Sequence, residues 1–502
     1  MNTIARRQFL ATTASGLGLS SVLQSLGPLT AKEVQVDAGI ARFSDDIEPL
    51  VRFLEETPRE SVIEQTARKV KEGTSYRQLL AALLLAGVRN VQPRPSVGFK
   101  FHAVLVVNSA HLASLSSSDE DRWLPIFWAI DNFKSSQARD VREGNWTLPP
   151  VDEAAVPPPH RATAALDEAL ESWDEQAADV AIAGVVRHFG ANQVFDQLAR
   201  YAARDFRSIG HKVIYLSNGF RTLQTIGWDY AEPVLRSLVY AMLNHTGDPN
   251  PATSDLDADR PGKQNWALRE KITAQWHNGK PDDAATKDLV RHLHQCSPDE
   301  ASEMVVQLIN AGVSLQSIWD GLFGSAAELL IRQRGIVSLH AVTTTNAIHH
   351  AFRATGDESA RQYLLLQNAA FLPMFRQAAA NRGDVNDFRI DEMTADASEE
   401  PASVPEIFET LGRNRRQASE MLYQYLSSNG DPQSIVDHAR RLVFLKGDDS
   451  HDYKFSSAAL EDYRSLSLPW RNRFLAASSY QLKSEGEPTR GLVKRIQEAI
   501  AS

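Results

Sequence analysis

Four histidines stand at matching places along this chain of 502 residues: His102, His211, His340 and His451. His102 and His340 are 238 residues apart, and His211 and His451 are 240 residues apart. Imidazole is a common ligand for iron, copper and zinc, and near neutral pH it also acts as a general base. The spacing therefore predicts that two or four of these side chains line one cavity, as metal ligands or as catalytic bases. Four equivalent imidazoles suit a redox metal such as iron better than zinc, whose catalytic sites usually have three protein ligands.

A structural explanation of the same pattern stays open, because a histidine that opens a helix can bond to nearby backbone and a duplicated fold copies it. A further histidine follows nine residues after His102 and after His340, at His111 and His349. At about 100° per residue, nine residues place the two rings on opposite sides of one helix, so the second histidines are not expected in the site. The carboxylates that could complete a ligand set are Asp131, Glu153, Asp205, Glu232 and Asp452.

Two other groups of residues bear on a pocket around the histidines. Lys454 stands one helical turn after His451, where it could hold an anion or face water. Four aromatic residues at helical spacing are typical of a core, and they are also the candidates for the apolar wall of a histidine-lined pocket. These aromatic residues are Trp123, Phe127, Trp128 and Phe133.

Helices must position these residues, because apolar side chains recur at intervals of three and four along most of the chain. Leu235, Leu238, Val239 and Met242 give one example. The β-branched run at 104–107 is the main exception. A strand is possible there, but a helix is favoured because the helical pattern continues beyond the run. We therefore predict an all-α fold.

A glycine precedes each of the four histidines by 21 to 29 residues and marks a turn between two helices. Glycine at the end of a helix supplies the left-handed backbone conformation that turns the chain. A residue that favours the N-cap of the next helix follows each glycine. The pairs are Gly73 with Ser75, Gly190 with Asn192, Gly312 with Ser314, and Gly430 with Asp431.

The matching segments predict a tandem duplication of helical hairpins, with about 240 residues per copy. A stretch at 247–262 that is rich in Asp, Pro and Gly marks roughly the end of the first copy. The predicted halves are residues 40–250 and 264–502. Internal symmetry of this kind places a shared pocket between the halves.

Residues 1–31 are interpreted as a leader rather than as part of the fold. Arg6 and Arg7, followed by Phe9 and Leu10, resemble a twin-arginine export motif, and an uncharged, weakly apolar stretch follows. An ordinary secretory signal is the alternative. The sequence thus predicts an exported protein that uses the twin-arginine route, which carries folded proteins, often with a cofactor already bound.

The composition argues against several classes of function. A formal net charge of −10 argues against nucleic acid as a partner, because its binding needs a positive surface. Beyond the leader no apolar run reaches the roughly 18 residues that span a bilayer, so we expect no transmembrane segment in the mature chain. The single cysteine, Cys296, excludes internal disulfides. The mature chain also lacks the glycine fingerprint of a Rossmann-bound dinucleotide.

Short stretches around three of the histidines resemble the repeated histidine-bearing helices of questin oxidase-like proteins. They lie at 101–104, 210–214 and 339–342 and read FHAV, GHKVI and LHAV. The resemblance implies a helical fold and carries over His102, His211 and His340; the named member opens an anthraquinone ring oxidatively. Residues 126–238 also resemble an uncharacterised helical bacterial region that is sometimes joined to Rieske domains. With one cysteine the chain lacks the Rieske ligands, so no iron–sulfur cluster is implied.

We expect from these observations an exported helical oxidoreductase that acts on an apolar or aromatic small molecule. In its pocket His102, His211, His340 and His451 would serve as metal ligands or bases. The alternative is a non-catalytic helical scaffold that binds a protein or a small-molecule ligand through the groove between the halves. Convergence of the imidazole nitrogens on one point would favour the enzyme.

Overall fold

The computed structural model describes residues 39–93, 99–243, 248–396, 398 and 400–502. Helices form its whole framework, which confirms the predicted all-α class. Over these ranges the only β-type pairing is an isolated bridge between Lys280 and Val313. The β-branched run at 104–107 is helical apart from a turn at Val106. The predicted leader lies outside the described residues, and within them no helix is both long enough and apolar enough to cross a membrane.

The helices are numbered here in chain order. Those before residue 250 are α1 (Glu48–Glu56), α2 (Arg59–Lys71), α3 (Tyr76–Asn90), α4 (His102–Leu105), α5 (Val107–Leu115), α6 (Leu124–Glu143), α7 (Pro159–Ser172), α8 (Glu175–His188), α9 (Ala191–Ala202), α10 (His211–Ile226) and α11 (Ala231–Leu243). Those after it are α12 (Arg260–Leu268), α13 (Asp283–Leu293), α14 (Pro298–Asn310), α15 (Leu315–Arg332), α16 (Ile336–Ala354), α17 (Glu358–Ala380), α18 (Val404–Leu411), α19 (Arg415–Ser427), α20 (Pro432–Lys446), α21 (Ser450–Asp462), α22 (Leu468–Ser478) and α23 (Gly491–Ala501).

The helices that carry the four histidines pack together in a closed ring, named here the histidine bundle. It consists of α10, α16, α21 and the consecutive pair α4 and α5. Helix α5 packs against α10 and α21, and α16 packs against the same two helices. A second layer surrounds the ring, with α3 against α5, α9 against α10, α17 against α16 and α20 against α21. The bundle is therefore shielded from solvent by its own neighbours in the chain.

Polar contacts tie the helices of the bundle to one another. The Ser217 hydroxyl of α10 donates to the Ala347 carbonyl of α16 at 2.8 Å. The Asn218 amide of α10 donates to the Leu105 carbonyl at 3.0 Å, beside the turn between α4 and α5. These bonds satisfy buried polar groups and set the register of the ring.

Backbone geometry brings α10 unusually close to α16. Ile209 and Gly210, which lead into α10, have φ values of +42° and +83°. A β-branched residue rarely adopts the left-handed region, so this turn is strained. A Cβ on Gly210 would overlap the side chain of Thr344 on α16. Glycine is therefore required where the two helices meet.

The predicted helix caps are confirmed in three of four turns. Ser75, Ser314 and Asp431 are N-caps whose side-chain oxygens accept backbone N–H groups of the first turn. The prediction for Asn192 is wrong: Gly190 is the N-cap of α9 and Asn192 lies inside the helix. Glycine also ranks among the favoured N-cap residues, and it leaves no need for a side-chain cap two positions later.

The predicted left-handed glycines are confirmed in two of the four turns. Gly73 and Gly312 have φ values of +109° and +84°. The prediction is wrong for Gly190, whose φ is −73° because it already serves as the cap of the next helix. It is also wrong for Gly430, since Asn429 takes the left-handed conformation with a φ of +62°. Asparagine tolerates that region better than most residues.

Candidate metal centre

Each of the four histidines stands in the first turns of a helix in the histidine bundle. His102 and His211 are the first residues of α4 and α10, and His451 is the second residue of α21. His340 is the fifth residue of α16. All four side chains are buried, with exposed fractions between 1% and 6%. The entry turns of the four helices therefore meet inside the protein rather than at its surface.

Backbone carbonyls orient two of the imidazoles. Nδ1–H of His211 donates to the Ser208 carbonyl at 2.6 Å, and Nδ1–H of His340 donates to the Ile336 carbonyl at 2.6 Å. A neutral imidazole carries one proton, so these bonds leave Nε2 of each ring with a lone pair. Hydrogen bonds of this kind orient metal-ligating histidines and fix their tautomer.

The Nε2 atoms of three histidines face one another. Nε2 of His211 lies 3.0 Å from Nε2 of His340 and 3.2 Å from Nε2 of His102. One ligand atom from each of the three lies within 4.8 Å of the other two. Metal–nitrogen bonds of about 2.0–2.1 Å hold neighbouring nitrogens about 3.3 Å apart in a tetrahedral set. The separations of 3.0 and 3.2 Å are therefore close to those of nitrogens that share one metal ion.

His451 completes a ring of four imidazoles without joining the ligand set. Its ring centroid lies 4.5 Å from that of His102 and 5.3 Å from that of His340. Its Nδ1 lies 3.4 Å from Oδ1 of Asp449, the N-cap of α21. Among the described residues, the possible ligand atoms that lie within 4.8 Å of one another belong to the other three histidines. All four predicted side chains come together, and three of them have the geometry of ligands.

Burial keeps the three imidazoles neutral. It lowers the pKa of His102, His211 and His340 well below 6.5, and the positive charge of Lys454 lowers each of them further. The neutral imidazole is the form that binds a metal ion. The centre therefore offers its lone pairs at neutral pH without first losing protons.

Lys454 belongs to this region, and the expectation that it could simply face water is wrong. Its side chain is 3% exposed, and its Nζ has no hydrogen-bond partner among the described residues. Burial lowers the pKa of Lys454 from 10.5 to about 7. A buried ammonium without a partner costs several kcal/mol. The signal in the sequence is the spacing of three residues after His451, which puts both side chains on one helix face.

Of the four aromatic residues predicted as a pocket wall, Trp128 lies nearest to this turn of α21. Its ring stacks on that of Tyr453, the residue before Lys454, with centroids 4.1 Å apart. Trp123 contacts Tyr76 instead, at a centroid distance of 5.8 Å. Phe127 is fully buried in the general core, as is Phe133. One aromatic side chain, rather than four, therefore borders the turn that carries Lys454.

The second histidines point away from the centre, as the helical periodicity predicts. The hydroxyl groups of Tyr76 and Thr225 bond to the two ring nitrogens of His111, at 2.9 and 3.2 Å. His349 packs edge-on against the ring of Trp319, with centroids 4.7 Å apart. Neither ring has a nitrogen directed at the convergent Nε2 atoms.

The carboxylates predicted as further ligands are engaged elsewhere, so that prediction is wrong. None of the five lies in the group of converging ligand atoms, and each forms an ion pair with a basic side chain. The pairs are Asp131 with Arg59, Glu153 and Glu232 with Arg187, Asp205 with Lys212, and Asp452 with Lys483. Imidazole alone suits zinc, copper, iron and nickel, whereas magnesium, calcium and manganese prefer oxygen ligands.

Comparison of the chain with protein-family models, with curated proteins and with solved structures gives no match. The resemblance to questin oxidase-like proteins therefore stays a prediction that rests on three short stretches of sequence. The chemistry of the centre follows from its own residues. Three neutral imidazoles can bind one transition-metal ion, and the positive charge of Lys454 acts on all three of them.

Proposed function

We propose that this protein is a metalloenzyme whose ion is held by the Nε2 atoms of His102, His211 and His340. The observation that supports the proposal is the 3.0 Å contact between two Nε2 atoms whose rings both donate Nδ1–H to carbonyls. Two lone pairs at that distance repel each other unless a cation lies between them. Three protein ligands leave a coordination position for a reactant, which is the pattern of catalytic sites rather than structural ones.

We place the reaction among oxidations of a small molecule. The resemblance to questin oxidase-like proteins supports oxidation, and iron and copper are the ions that combine a preference for imidazole with redox chemistry. The cavity beside Lys454 has a volume of about 10 Å³. It has room for about one water molecule, and none of the four histidines lines it. An apolar or aromatic substrate would have to bind on another side of the centre.

We also propose that the bundle arose by tandem duplication. In the sequence alignment of the two halves, α5 corresponds to α16 and α10 corresponds to α21. Because α5 and α16 both pack against α10 and α21, corresponding helices lie diagonally across the ring, as a twofold axis would place them. Export through the twin-arginine route agrees with this function, since that route accepts proteins that have already folded around a cofactor.

Metal analysis of three proteins tests the proposed function. Wild type, the double variant His102→Ala/His340→Ala and the matched control His111→Ala/His349→Ala are purified at full length, and circular dichroism confirms that each is helical. We expect about one transition-metal ion per chain in wild type and control, and almost none in the double variant of the proposed ligands.

Two results would contradict the proposal. A metal-free wild type that also fails to take up added iron, copper or zinc would favour the helical scaffold. In that case the cleft of about 980 Å³ lined by Phe388, Met393 and Tyr423, which lies off the histidine bundle, would be the place to look for a ligand. Equal metal content in all three proteins would place the ion elsewhere. Zinc in place of iron or copper would keep the metal site and remove the oxidation.

A further inference from the structure

A polar cleft opens beside the histidine bundle, where the end of α16 meets α10 and the end of α21. Its volume is about 320 Å³, at the lower end of the range for small-molecule sites. None of the four central histidines lines it, so a ligand in this cleft would not touch the proposed metal centre. Four lining residues stand on one face of α16, at helical spacings of three and four. They are Asn346, His349, His350 and Arg353.

The charged side chains of the cleft leave one guanidinium group without a counter-ion. Arg221 forms a two-point ion pair with Glu461, with N–O distances of 3.0 and 3.1 Å. Arg353 lines the same cleft, is exposed, and has no ion pair with a described carboxylate. Burial lowers the pKa of His349 and of His350 to about 3, so both rings are neutral at pH 7. The unpaired positive charge is therefore that of Arg353.

Asp462, the other acid of the cleft, does not supply the counter-ion. Its side chain is 2% exposed, and burial raises its pKa well above 3.8, which favours the neutral carboxyl group. The Asn346 amide donates to Oδ1 of this group at 2.7 Å, so Oδ1 is the carbonyl oxygen and the proton lies on Oδ2. Oδ2 has no hydrogen-bond partner among the described residues. A buried donor without an acceptor destabilises a protein, and a ligand oxygen would satisfy it.

We propose that this cleft binds a small organic monocarboxylate, which pairs with Arg353 and accepts a hydrogen bond from Asp462. The two oxygens of a carboxylate match the planar fork of a guanidinium group. Arg353 is exposed and Asp462 is buried, so the ligand would extend from the mouth of the cleft to its floor. One negative charge balances the one unpaired guanidinium, whereas a phosphate dianion would leave an excess negative charge beside Glu461.

Titration with benzoate tests the proposal. Full-length wild type is titrated at pH 7 by isothermal calorimetry with sodium benzoate, and with benzamide, which has the same shape and no charge. We expect benzamide to bind at least about tenfold more weakly, because it cannot form the ion pair with Arg353. Arg353→Gln should weaken benzoate binding by a similar factor. Arg382→Gln is the matched control, because Arg382 is also exposed, lines neither this cleft nor the larger one, and loses the same charge.

A second variant tests the part played by Asp462. Asp462→Asn keeps an uncharged donor at the floor of the cleft, so its affinity for benzoate should stay within about threefold of wild type. An affinity about tenfold higher would mean that the carboxyl group is ionised in the wild type, and it would contradict the role of Asp462 as a donor. Circular dichroism confirms that each variant is helical.

Three results would overturn the carboxylate site. They are the absence of saturable benzoate binding in wild type, equal benzoate affinity in Arg353→Gln and wild type, and benzamide binding as tight as that of benzoate. Tighter binding of inorganic phosphate than of benzoate would contradict the choice of a monocarboxylate. Because the cleft contains none of the proposed metal ligands, each of these results is independent of the metal content of the protein.

Discussion

The histidine bundle contains an inner and an outer set of histidines, and the two sets differ in what their nitrogens contact. The inner set is His102, His211 and His340, whose Nε2 atoms converge. The outer set is His111 and His349, whose rings meet hydroxyl groups and an aromatic ring. His340 and His349 lie on the same helix, α16, and both sets are largely buried. Residue type and burial therefore do not separate the two sets. The convergence of the Nε2 atoms does, together with the carbonyls that fix the tautomers of His211 and His340.

Acid is expected to affect the inner set most strongly. Burial lowers the pKa of His102, His211 and His340 well below 6.5. In acid the unfolded chain therefore binds protons that the folded, metal-free protein does not bind. Stability should therefore be full above pH 6.5 and fall as the pH decreases. Below pH 6.5 the free energy of unfolding falls by about 1.4 kcal/mol per pH unit for each histidine, or by about 4 kcal/mol per pH unit for the three.

Urea unfolding of the metal-free protein between pH 7.5 and 5.5 measures this slope. His349 provides the comparison with the outer set, because burial lowers its pKa to about 3 and gives the same sign. His349→Gln should reduce the slope by the share of one histidine. A flat profile in the wild type would mean that the inner histidines take up protons in the folded protein as readily as in the unfolded chain.

Metal ions should stabilise the protein through the inner set alone. At a free concentration about 100 times the Kd, the ion adds about 2.7 kcal/mol to the free energy of unfolding. His340→Gln removes one proposed ligand, so added metal should increase its free energy of unfolding much less. In His111→Gln the increase should be as large as in wild type. Differential scanning calorimetry with and without metal measures both. If added metal also fails to stabilise His111→Gln, the distinction between the inner and outer sets is wrong.

Replacing the glycine where α10 approaches α16 should destabilise the protein more than replacing a glycine elsewhere. Gly210→Ala should lower the free energy of unfolding by about 2 kcal/mol, because the new Cβ overlaps Thr344 and the φ of +83° disfavours alanine. Gly486→Ala is the control, since a Cβ there meets nothing within 4 Å. Chemical denaturation compares the two variants. Equal stability would show that the contact between Gly210 and Thr344 is not tight.

His451 should have the smallest effect on metal binding of the four central histidines. It touches the inner rings but lies outside their ligand set, so His451→Asn should weaken metal affinity by no more than about tenfold, or about 1.4 kcal/mol. Competition with a chelator measures the affinity. A complete loss of metal would make His451 a fourth ligand and would indicate a closed, structural site.

The all-α class was predictable from apolar periodicity, and the meeting of the four histidine rings followed from their spacing. The tautomers were not predictable, because the carbonyls of Ser208 and Ile336 are backbone groups with no sequence signature. The burial of Lys454 was also hidden. A lysine on a helix usually faces water, and only the packing of α5, α10 and α16 around α21 decides otherwise.

The ring arrangement of the bundle also fixes when the proposed metal site can form. The inner nitrogens come from positions 102, 211 and 340, so a growing polypeptide lacks the third imidazole until most of it has been synthesised. Contacts between such distant segments form late in folding. A nascent or truncated chain offers only one or two imidazoles, and it would bind metal weakly. Metal content would then report that long-range assembly is complete, in the manner of a quality check.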